Sequence, residues 1–338
     1  MLAGTLTAVV ASWAVSGAAA QALQRTQTIS LKKGWNSVYL EVDPGEQDPD
    51  QVFGGTPVDI AATYFAPKSG AQFITDPGVD LFKSLGWGVW YRGDRPDAFL
   101  TSLDAVFGRR AYLVHATSDY QWELVGTALR EERRWRSDQF NFVGFPVASP
   151  GAPSFAEFFA GAKGPRTDKL YRLVDGAWKK LSDAAATPMR SGEAFWVYCE
   201  GPSRFRGPLE VETRLRSGLV LAEGASDKLI LRNRSANPLD VTVEHVTASA
   251  APVPMSILIK VVGMPSSPIA TGQVTKPAGG WSESFGLAAG ASIALPFQAR
   301  RGEMTQAAHA SLLKVTTAMG TVTWVPVFAT RADLEETD

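Results

Sequence analysis

Gly34-Trp35-Asn36-Ser37-Val38-Tyr39-Leu40 and Gln139-Phe140-Asn141-Phe142-Val143-Gly144-Phe145 place an asparagine in the same aromatic setting twice. Each asparagine follows an aromatic residue and leads into a run with strand composition. Further on, Gly108-Arg109-Arg110-Ala111-Tyr112-Leu113-Val114-His115 resembles Ser191-Gly192-Glu193-Ala194-Phe195-Trp196-Val197-Tyr198. Two matched pairs in the same order predict a duplication, with one unit over 28–127 and a more compact one over 137–209. Small repeated β units are commonest in modular binding or structural proteins, which frames the functional reading.

The chain has 338 residues, enough for two or three domains. Its 33 basic and 34 acidic residues leave a formal charge of −1, so no global field gathers nucleic acid or an anionic membrane surface. Abundant Gly and Pro among Val, Thr and aromatic residues favour short strands joined by turns. Met1 to Ala20 carries no charge, runs apolar through Val15 and ends in Ala18-Ala19-Ala20, which predicts a signal peptide over 1–20 and an extracellular, cell-surface or periplasmic protein. No later run approaches the roughly 18 apolar residues of a spanning helix, so no transmembrane anchor is expected in the mature chain. Cys199 is the only cysteine, which rules out an internal disulfide and reads as a small buried residue of a strand.

Within the first unit, Ala61 to Phe65 and Trp87 to Tyr91 read as strands, and Ala111 to His115 with Tyr120 to Val125 as a closing hairpin. In the second, Ser154 caps a short helix, and Lys169 to Leu181 forms a hairpin around Asp175-Gly176. Arg130-Glu131-Glu132-Arg133-Arg134-Trp135-Arg136 between them reads as a solvated connector, with an anionic-ligand site as the alternative. Beyond Ser217 the pattern alternates, as in Asp240-Val241-Thr242-Val243-Glu244-His245-Val246 and Val322-Thr323-Trp324-Val325-Pro326-Val327. Six such segments predict an antiparallel β-sandwich over 217–331, and the whole chain is expected to be mainly β.

Gly34-Trp35-Asn36, Phe140-Asn141, the hairpin ending at Trp178 and Ala194-Phe195-Trp196-Val197 resemble the GWN/GYW-type β-rich repeats of secreted and surface proteins of bacteria and archaea. The segment from Leu231-Arg232-Asn233-Arg234-Ser235 to Pro238-Leu239-Asp240-Val241-Thr242-Val243 resembles an immunoglobulin-like domain of bacterial extracellular proteins. These resemblances imply scaffold or adhesion roles, with a surface protein or a glycan as partner, and supply no catalytic residue.

Enzyme signatures are absent: the chain has no G-x-S-x-G, no P-loop and no dinucleotide fingerprint, and His115, His245 and His309 lack a second ligand at zinc spacing. The expected protein is therefore a non-catalytic one serving adhesion or cell-surface assembly. The alternatives are a carbohydrate-binding module and a hydrolase using a carboxylate pair about 5 to 9 Å apart, which leaves no local motif. Asp43, Glu46, Asp48 and Asp50 put several oxygen ligands in one loop, making calcium the one cofactor the sequence suggests beside a plain solvated turn. The first unit is longer than the second between Phe65 and Ala111, and the extra length holds Trp87, Trp90, Tyr91, Arg92 and Asp94. If the shorter copy closes without it, these residues are expected to occupy an exposed loop that binds a glycan or protein.

Overall fold

The computed structural model describes residues 23–66, 74, 76–78, 86–130, 133–221, 226–246, 251–261, 270–277 and 279–331. The expected signal peptide over 1–20 lies outside them, as do Glu131 and Glu132 of the connector. The protein is mainly β, with two small β lobes followed by a β-sandwich.

The first lobe contains β1 (Gln24–Leu31), β2 (Gly34–Leu40), β3 (Val42–Pro44), helix α1 (Pro49–Phe53), β4 (Val58–Tyr64), β5 (Trp87–Tyr91), β6 (Arg110–Ala116) and β7 (Tyr120–Ala128). They form two antiparallel sheets, β1-β7-β3 and β2-β6-β4-β5. Alternation on β7 sends Trp122 and Leu124 inward, where they meet Phe53, Trp90 and Tyr112. The lobe begins at Gln24, slightly earlier than expected.

The second lobe contains β8 (Gln139–Gly144), helix α2 (Phe155–Phe159), β9 (Pro165–Val174), β10 (Ala177–Lys180) and β11 (Ala194–Cys199), in one sheet ordered β8-β11-β9-β10. That order repeats β2-β6-β4-β5: the first strand pairs with the last, which pairs with the second, which pairs with the third. Helices α1 and α2 fall at the same point of each unit. Asn36 faces Val114, and Asn141 faces Val197. The two amides make the same bonds. Asn36 Oδ1 accepts the Lys32 amide at 2.9 Å, while its Nδ2 donates to the Lys32 and Gly34 carbonyls. Asn141 Oδ1 accepts the Arg136 amide at 2.9 Å, and its Nδ2 donates to the Arg136 and Gln139 carbonyls. Lacking a second sheet, this lobe closes its core with phenylalanines, among them Phe145, Phe155, Phe158, Phe159 and Phe195. Helix α2 delivers three of them, and its start is fixed by a reciprocal Ser154–Glu157 capping box. Cys199 ends β11 fully buried.

The lobes meet along a seam. Tyr39 N–H donates to the Gly192 carbonyl at 2.8 Å, and Ser37 Oγ to the Ala194 carbonyl at 2.6 Å. Gly144 admits this approach, because a Cβ there would lie 2.3 Å from Tyr39 Cβ.

The sandwich is built from β12 (Leu209–Glu212), β13 (Leu219–Leu221), β14 (Asp227–Asn233), β15 (Leu239–Val246), β16 (Met255–Val261), β17 (Ala270–Thr275), β18 (Ser282–Leu287), β19 (Ser292–Ala299), β20 (Ala308–Thr317) and β21 (Val322–Thr330). Its sheets run β12-β14-β19-β16-β17 and β13-β21-β20-β15-β18. Two expectations need correction. Leu209 belongs to the sandwich, since β12 pairs with β14, so the boundary lies ahead of residue 217. The sandwich is also not wholly antiparallel, because β13 runs parallel to β21. It docks on the lobes through Leu23 and Ala128 against Ala310 and Leu312, and through Arg130, whose guanidinium donates to the Val211 and Arg216 carbonyls.

Candidate functional site

The aromatic segment expected to form a binding loop is a strand with cores on both faces. Trp90 is 3% exposed, packs 5.3 Å from Phe53 between ring centroids, and donates its indole N–H to Asp50 Oδ1 at 2.8 Å. Tyr91 is buried, and Arg92 spends its guanidinium on the Thr56 and Val58 carbonyls. Of the five candidate residues, only Asp94 is exposed, in the turn after β5. Trp87 points the other way, into an aromatic layer at the seam. Its ring centroid lies 5.9 Å from Phe142 and 6.2 Å from Trp196.

The second copy does have an equivalent of this tryptophan. Trp87 stands opposite Tyr64 and Trp178 opposite Leu173, positions that match when the two sheets are aligned through Val114 and Val197. Trp178 lies 5.7 Å from Phe142 and 6.2 Å from Trp196, nearly the distances of Trp87. The two tryptophans flank one layer. The extra length of the first unit falls between β4 and β5, so the argument for an aromatic insertion fails.

The acidic loop is likewise committed to its own chain. Asp43 Oδ1 accepts the Gly108 amide at 2.7 Å, Asp48 caps α1, Asp50 holds Trp90, and Glu46 is exposed. Among the described residues no group of three His, Cys, Asp or Glu side chains is placed to hold a metal ion, so the structure does not gather the four carboxylates. The histidines serve the fold. His115 Nδ1 meets Asp59 at 2.6 Å, and His309 Nε2 accepts two backbone amides while Nδ1 lies 3.0 Å from the Pro252 carbonyl. His245 is fully enclosed, and burial pushes its pKa down to about 4.

Among the described residues, two clefts related by the duplication open to solvent at the seam. The larger, about 1480 Å³, is lined by Lys32, Trp35, Asn36, Leu173, Val174 and Glu193 among others. The smaller, about 350 Å³, is lined at the corresponding positions by Arg136, Phe140, Asn141, Tyr64, Phe65 and Arg110. Matching backbone thus carries different chemistry. In the larger cleft Glu193 is held by a two-pronged bond from Arg172 at 2.9 and 2.7 Å, and Glu41 by Arg25 at 2.6 Å. In the smaller one, Arg109, Arg133 and Arg134 join Arg110 and Arg136, and among the described residues no Asp or Glu lines it. The sequence alone reads the connector as solvated, with an anionic-ligand site as the alternative, and does not join Arg109 and Arg110 to it. The available signal was a pair of Arg-Arg doublets, 109–110 and 133–134, which pairing across the seam brings together.

No family model matches the chain, and no curated protein matches it. Among solved structures, it is similar to the Salmonella enterica SafA pilin in complex with the SafB chaperone, at 12% identity and a TM-score of 0.25, covering 37% of this chain and 56% of that one. It is similar to the ASH/PapD-like domain of human CEP192 at 11% identity and a TM-score of 0.22, over 38% of this chain and 87% of that one. It is also similar to a β-glucosidase from Listeria innocua in complex with glucose, at 17% identity and a TM-score of 0.19, over 45% of this chain and 19% of that one. At these TM-scores the likenesses carry no conclusion about activity, ligand or partner. Among the described residues no helix is long and apolar enough to cross a membrane.

Proposed function

We propose that this is an exported, non-catalytic binding protein of the cell surface or extracellular space, in which the double lobe holds a glycan and the sandwich acts as spacer or docking domain. One observation carries the reading: duplication produces two solvent-open clefts whose walls combine aromatic side chains, Trp35 in the larger and Tyr64, Phe65, Phe140 and Phe142 in the smaller, with hydrogen-bonding side chains. Such walls suit polar ligands that also present flat apolar faces, as sugars do. Trp35, half-buried in the larger cleft, would report occupancy through its fluorescence. The kinship of the lobes with GWN/GYW-type repeats belongs to this proposal, supported by the repeated strand order and the duplicated asparagine bonds.

Titration of the full chain with a panel of neutral and acidic polysaccharides, followed by tryptophan fluorescence and affinity electrophoresis, tests the reading. Saturable binding without release of reducing ends is expected. Release of reducing ends would favour the carboxylate-pair hydrolase, and no binding across the panel would remove the glycan role. Export predicts that intact-mass measurement of the mature protein finds Met1 to Ala20 removed. A mature chain that keeps Met1 would remove the export part of the proposal.

A further inference from the structure

We infer that the smaller cleft recognises the carboxylates of an acidic polysaccharide. The inference rests on the proposed glycan-binding role of the lobes and adds the charge of the ligand and the residues that read it.

Arg109 enters from the turn before β6, Arg110 from the first position of β6, and Arg133, Arg134 and Arg136 from the connector. Along the connector, Arg130, Arg133, Arg134 and Arg136 outnumber Glu131 and Glu132. Several guanidiniums are held in place by the fold. Arg110 lies 4.6 Å over the Phe65 ring, Arg136 Nη1 donates to the Ala66 carbonyl at 3.2 Å, and Arg109 donates to the Arg130 carbonyl. Arg134 is exposed at the rim. Like charges gathered in about 350 Å³ repel one another, so their assembly lowers stability unless an anion offsets it.

The duplicated cleft supplies the internal control. There Glu193 stands where the smaller cleft has Arg110, Gly192 where it has Arg109, and Val174 where it has Phe65. Thr63, which donates to the Ala111 carbonyl, stands where the larger cleft has Arg172. The same backbone therefore closes with an ion pair on one side and, on the other, with Arg109, Arg110, Arg134 and Arg136, which meet no carboxylate among the described residues; Arg133 is bound to the Gly144 carbonyl and Tyr39 hydroxyl.

Guanidinium forks match carboxylates in a two-pronged geometry, which favours carboxylate groups over isolated hydroxyls. Tyr64, Phe65 and Phe140 line the same cleft, and Phe65 is 47% exposed, so apolar ring surface lies beside the guanidiniums, including the one stacked on Phe65 itself. The formal charge of −1 gives no chain-wide field for nucleic acid.

Calorimetric titration of the full chain with polygalacturonate, its methyl ester and an oligothymidylate tests the inference. Polygalacturonate is expected to bind at least about tenfold tighter than the ester, and to weaken as salt rises from about 0.05 to about 0.5 M. Arg110→Glu and Arg134→Ala should each weaken it by about tenfold, while Arg331→Glu, at the end of the sandwich, should not. If Arg110→Glu unfolds, the exposed Arg134 carries the comparison. Equal affinity for acid and ester, unchanged by the arginine variants, overturns the inference and leaves the glycan-binding reading standing. Tighter binding of oligothymidylate overturns it in favour of nucleic acid, and silence toward all three probes overturns the inference and leaves the glycan-binding reading to the polysaccharide panel.

Discussion

Trp90 fills the space between α1 and the first lobe's sheets, and its N–H satisfies a carboxylate at the edge of that core. Trp90→Ala should therefore destabilise by about 3 to 5 kcal/mol, through lost burial and the cavity left behind. Urea denaturation measures this, and a variant as stable as the parent would put the indole at the surface after all. His245 makes a second test, because its imidazole lies against Trp281 with neither ring nitrogen bonded to a partner. Its pKa falls from 6.5 to about 4 on folding, so the unfolded chain takes up a proton before the folded one does. The stability this group contributes is complete above pH 6.5 and is lost as pH falls toward about 4, by up to about 3 kcal/mol. His245→Leu should flatten the stability profile across that window.

Asn36 and Asn141 each tie the start of their first strand back to the preceding turn with three hydrogen bonds. Alanine at either position orphans a backbone N–H and two carbonyls, at a cost of about 1 to 3 kcal/mol. Asn141, 8% exposed, should cost more than the half-buried Asn36, which paired denaturation curves of the single variants can decide. These bonds show why the duplication was legible: the amide acts within five residues, so its requirement is written locally. Strand β5 shows the opposite case. Trp87 and Trp90, three apart, must face opposite sides of a strand, whereas the extra length between Phe65 and Ala111 suggested an exposed loop. Here both sides are covered, by the seam layer and by the lobe core, so Trp87-Gly88-Val89-Trp90-Tyr91 is a continuous apolar run of a doubly buried strand. What covers the second face comes from β8 and β11, far along the chain, and no local pattern announces it.

The main core of the sandwich draws its buried side chains only from residues 209–329, so a fragment from Leu209 to Arg331 should unfold cooperatively by itself. Its midpoint should fall below that of the full chain, because Arg130, Leu23 and Ala128 no longer cover it. A fragment that is recovered only unfolded would show the lobes to be part of its core. The arginine cleft was only partly legible for a similar reason of distance: one doublet sits on the first lobe and the other on the connector, and the register of β6, β8 and β11 makes them neighbours. Cys199 offers a different use of the same architecture. Its thiol has no exposed surface, and burial pushes it up to about 11, so a maleimide at neutral pH finds almost no thiolate until β11 lets go. The rate of that single alkylation becomes a clock for the opening of the second lobe, and a glycan bridging the seam should slow it.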